Sequence, residues 1–130
     1  MIYLDTSVAL AQLLAEDKQP PPDLWKESLI SSRLLEYELW TRIHSRKLAA
    51  THSESVRDLL GRIPLVELAP PVLARALEPF PAPVRTLDAL HLASIEFLRS
   101  HGQKVALASY DARLSKAARH LDIPAYPLRG

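Results

Sequence analysis

The sequence predicts an α/β fold: three layers, α/β/α, around a central, mostly parallel sheet of four to five short strands. Three observations lead there. Short apolar runs alternate with helical stretches along the chain, which places crossover helices on both faces of a parallel sheet. Two of the runs, at the N-terminus and near residue 105, lead through an acid into a helix, at Asp5 and Asp111. The 130 residues suit one domain, spanning 1–130, with a sizeable core.

Residues 1–5 begin with Met1-Ile2-Tyr3-Leu4, a buried strand that ends in Asp5, and Val8 to Ala15 continue as a short apolar helix. Gln19-Pro20-Pro21-Pro22-Asp23 is a loop, because three successive prolines cannot continue a helix. Leu29 to Ser32 reads as the second strand, and residues 33–48 as a helix of good formers with alternating charge. The next helix runs from His52 to Arg62, with Ser53 as its cap and Gly61 near its end. Ile63 to Leu68 has the alternation of a third strand. Pro70-Pro71 suit the start of a helix over Val72 to Leu77, and the prolines at 79, 81 and 83 then force a loop. Thr86 to Ser100 is the strongest helical pattern, with Thr86 as a candidate cap. Val105 to Ser109 forms a strand, Ala112 to His120 a helix, and Ala125 to Leu128 a last short strand after Pro124.

Composition removes several classes of function. Sixteen basic and 15 acidic residues leave a formal charge of +1, so nucleic-acid binding has to come from local patches. The absence of cysteine excludes disulfides, thiolate zinc sites and a cysteine nucleophile. Three glycines (Gly61, Gly102 and Gly130) cannot build a phosphate-binding loop or a dinucleotide fingerprint. With neither an 18-residue apolar run nor a signal-peptide pattern, the chain is expected in the cytoplasm and not at a membrane.

The chemistry rests on four acids. Ligands of open α/β sheets bind outside the carboxyl ends of the strands, and Asp5 and Asp111 stand there. Taken singly, each is equally the acid of an N-cap. Thr6 and Ser7 offer alternative hydroxyls that would free Asp5, and Ser109 could supply a hydroxyl to a metal-bound water or to a neighbouring carboxylate. Asp88 lies in the first turn of its helix, where a carboxylate also suits the helix dipole. It heads an apolar stripe with Leu92 and Ile95, however, and a half-buried carboxylate needs a partner such as a cation. On the helix of residues 33–48 periodicity does not choose between Glu36 and Glu38, because apolar residues surround much of that helix; Glu38 could equally pair with Arg42. Acids at adjacent strand ends, about 4.8 Å apart, can share ions, and Mg²⁺ or Mn²⁺ prefers an all-oxygen shell. Two such ions about 4 Å apart activate water and stabilise the leaving oxygen of a phosphodiester.

Two other acid-based designs fit poorly. A haloacid-dehalogenase-type phosphatase wants a second acid two residues after the first, where this chain has Ser7. A phosphorelay receiver wants an aspartate ending the third strand, and Ile63-Pro64-Leu65-Val66-Glu67-Leu68 supplies none.

Four stretches in order resemble the PIN-domain ribonucleases, and more closely the VapC-type toxins of toxin–antitoxin modules. They are Tyr3-Leu4-Asp5-Thr6-Ser7, Ser32-Arg33-Leu34-Leu35-Glu36-Tyr37-Glu38-Leu39, Leu87-Asp88-Ala89-Leu90-His91-Leu92-Ala93 and Ala108-Ser109-Tyr110-Asp111-Ala112-Arg113-Leu114. Together they span essentially the whole chain. The resemblance implies a PIN-like fold and an acidic quartet of Asp5, Glu38, Asp88 and Asp111, with Glu38 chosen over Glu36 by its place six residues after Ser32. Ser109 stands where the family often has threonine, and Thr6 matches the hydroxyl that commonly follows the first acid. His91 belongs to the family's helix motif and reads as packing, since one imidazole without others at ligand spacing seldom marks a metal site.

The implied activity is metal-dependent endonucleolytic hydrolysis of RNA, leaving a 5′-phosphate and a 3′-hydroxyl. Asp5, Asp88 and Asp111 would hold Mg²⁺ or Mn²⁺, and Glu38 would complete the shell or position the attacking water. Arg42, Arg46, Lys47 and Arg113 are candidates for phosphate contacts, against a plain reading as solvated helix surface. The resemblance also implies a homodimer held inactive by a small antitoxin whose C-terminal segment crosses the cleft. Leu10, Leu13, Leu14, Trp25, Trp40 and Ile43 could line that groove; for most of them core is the simpler reading, and Trp40 fits an interface best.

Overall fold

Alternation along one three-residue strand explains how the layers are arranged. The computed structural model describes residues 1–128. Ile2–Leu4 forms β1, in which Ile2 and Leu4 enter one apolar cluster and Tyr3 enters another on the opposite face. Ala106–Ala108 forms β4 and obeys the same period of two: Ala106 and Ala108 turn to the first cluster, Leu107 to the second. Leu29–Ser32 (β2) and Leu65–Val66 (β3) complete a four-stranded sheet of order β3-β2-β1-β4, parallel throughout.

Each face is covered by its own helices. Thr6–Leu13 (α1), Arg33–Ser45 (α2) and Ala49–Leu60 (α3) contribute Val8, Leu35, Leu39, Ile43, Val56 and Leu59 to the first cluster. Thr86–Ser100 (α5) and Ala112–Arg119 (α6) contribute Leu92, Ile95, Leu98 and Leu114 to the second. The short helix Pro70–Ala76 (α4) lies against α5, where Arg75 reaches Glu96 at 3.9 Å and stacks over the Phe80 ring at 4.2 Å. The predicted three-layer α/β/α architecture is therefore present, with four strands in the sheet.

Several local expectations change. The strand expected over 63–68 is only Leu65–Val66, because Pro64 has no N–H to give to a ladder. The last strand expected over 125–128 shrinks to one bridge, Leu107 with Ala125. The helix expected from His52 starts three residues earlier, so Ser53 is interior and its hydroxyl donates to the Ala49 carbonyl instead of capping. Thr86 is the first residue of α5; Arg85 takes the cap position and makes no side-chain cap bond. Pro22–Lys26, assigned in part to a loop, forms a 3₁₀ turn with proline at its start.

The end of α2 carries a testable conformational cost. The N–H of Leu48 donates to the Ile43 carbonyl at 2.9 Å and that of Lys47 to His44 at 3.0 Å, which requires Lys47 at φ +56°. A side chain in that left-handed conformation is disfavoured. Lys47→Gly is expected to raise stability by about 0.5–1 kcal/mol in urea unfolding; a loss of stability would contradict this reading of the helix end.

Candidate active site

The chain leaves β1 for β2 on one side and reaches β4 on the other, so the strand order turns beside β1. Switch points of this kind leave a crevice at the carboxyl edge of the sheet. A cleft of about 1010 Å³ opens there, and Asp5, Glu38, Asp88 and Asp111 all line it. The four acids come from four separate segments, so the fold itself gathers them.

Asp5 both caps and lines the cleft. Its Oδ2 accepts hydrogen bonds from the Ser7 hydroxyl at 2.6 Å, the Ser109 hydroxyl at 2.8 Å and, more weakly, the Ser7 N–H at 3.4 Å. Oδ1 makes no hydrogen bond among the described residues. Asp111 divides its oxygens in a related way: Oδ1 takes the N–H groups of Arg113 and Leu114 at the start of α6, while Oδ2 accepts from Arg85 at 2.9 Å. Capping and site membership are thus compatible for both residues, since each role uses a different oxygen.

Glu38 is the acid of α2 that turns inward. Its Oε1 accepts from Thr6 Oγ1 at 2.8 Å and lies 2.6 Å from His91 Nε2. Glu36 instead faces outward, 3.4 Å from Arg33, which also pairs with Glu67 at 2.7 Å. Behind Glu38 the contact chain continues into the core, with His91 Nδ1 2.7 Å from the hydroxyl of the fully buried Tyr3. His91 is buried, yet it also holds an acid of the cleft.

The electrostatics keep this chain polarised. Burial, reinforced by the Asp5 charge, pushes the Tyr3 phenol far above its ordinary range, so it stays neutral. Burial pushes the His91 imidazole down, but the Glu38 hydrogen bond and the charges of Asp5, Glu38 and Asp88 outweigh it and leave its pKa raised above 6.5. In either protonation state of His91, Nε2–H can donate to Glu38, with the Tyr3 hydroxyl donating to Nδ1 when the ring is neutral and accepting when it is charged.

Asp88, nearly buried, is held by Arg85: Nε reaches its Oδ2 at 3.0 Å and Nη2 its Oδ1 at 3.5 Å. These contacts, the Asp88 hydrogen bond first, raise the Arg85 pKa further, so the guanidinium stays charged. Of the four arginine and lysine residues expected at phosphates, Arg42 lines the cleft and Arg113 an adjoining hollow with Arg85 and Lys116. Arg46 pairs with Glu16 at 3.8 Å, and Lys47 ends α2. Sequence reasoning missed Arg85 and Lys18, both of which line the cleft. A basic residue three before Asp88 was the available signal for Arg85; a loop lysine such as Lys18 gives none.

Of the apolar groove candidates, Leu10 packs in the first cluster and also lines the cleft, Ile43 is buried core, and Leu13, Leu14 and Trp25 pack partly buried against the same cluster. Trp40 is half-buried, stacked on His44 at 5.7 Å with Arg57 over its ring at 5.6 Å. Among the described residues, no three acids or histidines stand together as a ready-made ion cage. The donor set nevertheless suits Mg²⁺ or Mn²⁺: it is all oxygen, and Asp5 Oδ1 and Glu38 Oε2 are unengaged among the described residues.

The parallel α/β/α architecture is the PIN-like fold that the sequence resemblance implies. The sequence pattern of the PIN domain family matches residues 2–120, and the chain belongs to that family. It is 33% identical to Ribonuclease VapC35 of Mycobacterium tuberculosis (strain CDC 1551 / Oshkosh), over 95% of this chain and 93% of that one. It is 30% identical to Ribonuclease VapC47 of the same strain, over 93% of this chain and 92% of the relative. Within the family the chain is therefore of the VapC type.

Proposed function

We propose that this protein is a metal-dependent endoribonuclease and the toxin half of a toxin–antitoxin pair. The observation that carries the reading is the convergence of Asp5, Glu38, Asp88 and Asp111 on one cleft, in a chain whose relatives are named ribonucleases. Those four residues would hold Mg²⁺ or Mn²⁺. A bound divalent cation would supply an activated water and charge stabilisation at the phosphodiester. The chain's own groups do the rest. The Ser7 and Ser109 hydroxyls orient Asp5, while Thr6 and His91 fix Glu38 where it can position water. Arg42, Lys18 and Arg85 give the cleft the positive charge that an RNA backbone needs.

The same reading includes a small antitoxin laid across the cleft and pairing of two copies into a homodimer, with the protein working in the cytoplasm. The exposed Leu73, Leu77 and Leu87 around the proline-rich loop support protein contacts of that kind. No helix among the described residues is long and apolar enough to cross a membrane.

The test is cleavage of end-labelled total RNA by purified, antitoxin-free protein, with Mg²⁺, with Mn²⁺ and with chelator. Discrete fragments that need the divalent cation are expected. Folded protein that retains RNA without cleaving it in either metal would replace the nuclease by a binding module.

A further inference from the structure

The two halves of the cleft are held by different means. Asp5 and Glu38 are oriented by three hydroxyls, those of Ser7, Ser109 and Thr6, and by His91. Asp88 and Asp111 are bridged by one cation, the Arg85 guanidinium, at 3.0 and 2.9 Å. Arg85 is the sole hydrogen-bond partner of the Asp88 carboxylate among the described residues. The Asp111 carboxylate keeps its place without Arg85, because its other oxygen caps α6.

We propose that Arg85 is a built-in competitor of the divalent cation, bridging Asp88 and Asp111 in the metal-free protein and passing to the RNA phosphate when metal takes those carboxylates. The inference rests on the metal-dependent nuclease reading above. Three features carry it. A +1 guanidinium and a +2 ion seek the same two carboxylates, and the higher charge has the stronger attraction for them. The Arg85 side chain is 54% exposed and projects from the residue before α5, so leaving its partners breaks no core packing. Its planar fork fits a phosphodiester as well as a carboxylate, and it lines the cleft in which the substrate would lie.

The experiment is direct Mn²⁺ binding, followed by the electron paramagnetic resonance signal of free Mn²⁺, to wild type, Arg85→Met, Arg85→Lys and Asp88→Asn. Circular dichroism checks the fold of each. Arg85→Met is expected to bind Mn²⁺ about fivefold more tightly than wild type, and to cleave RNA more slowly even at saturating Mn²⁺. Arg85→Lys keeps the charge but loses the fork, and is expected to fall between them in both measurements. It carries the comparison should the methionine variant not fold. If wild type binds Mn²⁺ in an Asp88-dependent way and neither Arg85 variant binds it more tightly, the competition is overturned and the metal reading stands. Tighter binding with undiminished cleavage would overturn the transfer to phosphate. No Mn²⁺ binding by any of the proteins would overturn the metal reading and this inference together.

Discussion

Asp5→Asn is expected to lower RNA cleavage by about 100- to 1000-fold, the range found when one preorganised group at a reacting centre is removed, while leaving the fold almost untouched. Asparagine is as good an N-cap as aspartate, and its carbonyl oxygen can accept from Ser7 and Ser109 as Oδ2 does. What it lacks is the charge and the second anionic oxygen, the one left unengaged. Asp5→Ala removes the cap as well, and should cost about 1 kcal/mol in addition to the activity. Single-turnover cleavage with urea unfolding separates the two effects. An asparagine variant that cleaves at the wild-type rate would remove Asp5 from the chemistry and leave it a cap alone.

The largest loss of stability at the site is expected for His91→Ala, about 2–4 kcal/mol from the vacated volume and the stranded Tyr3 hydroxyl. Both ring nitrogens are engaged and the residue is buried, so water cannot easily replace it. His91→Gln retains a polar side chain and should lose less. A pH dependence accompanies the histidine in metal-free protein. Its pKa is raised on folding, so the stability it contributes is complete below its unfolded value of about 6.5 and is lost as pH rises through the folded value. Urea unfolding from pH 6 to 9 should show that decline in wild type, and a flatter profile in His91→Gln. Identical profiles would mean that Glu38 and the neighbouring acids do not favour the protonated imidazole in the folded protein.

What the sequence made legible follows from the range of each interaction. Strand, acid and helix are consecutive at Asp5 and Asp111, so their positions at the sheet edge could be read locally. Choosing Glu38 over Glu36 needed the resemblance, because α2 buries Leu34, Leu35, Leu39 and Ile43 over a wide arc. The structure gives the physical reason: Thr6 and His91 meet Glu38, 32 and 53 residues away in sequence, and Arg33 takes Glu36. Arg85 escaped notice because its second partner, Asp111, is 26 residues distant. Periodicity likewise cannot report that His91 lies between a strand phenol and a helix carboxylate. The expected caps Ser53 and Thr86 failed because α3 begins at Ala49 and α5 at Thr86, which leaves Ser53 inside its helix and Thr86 as the first helical residue.

β1 is flanked on both sides by strands that come later in the sequence, β2 and β4. β1 pairs with β2 early in the chain, yet its other edge waits for β4, about a hundred residues later. Ser109 and Asp111 arrive with that same segment. A growing chain therefore presents Asp5, Glu38 and then Asp88 before it has the strand that draws the fourth acid beside them. Such distant pairing slows folding, and it also makes every fragment that stops short of β4 an incomplete nuclease. The four-acid cleft is thereby completed only when β4 and the segment that follows it are in place.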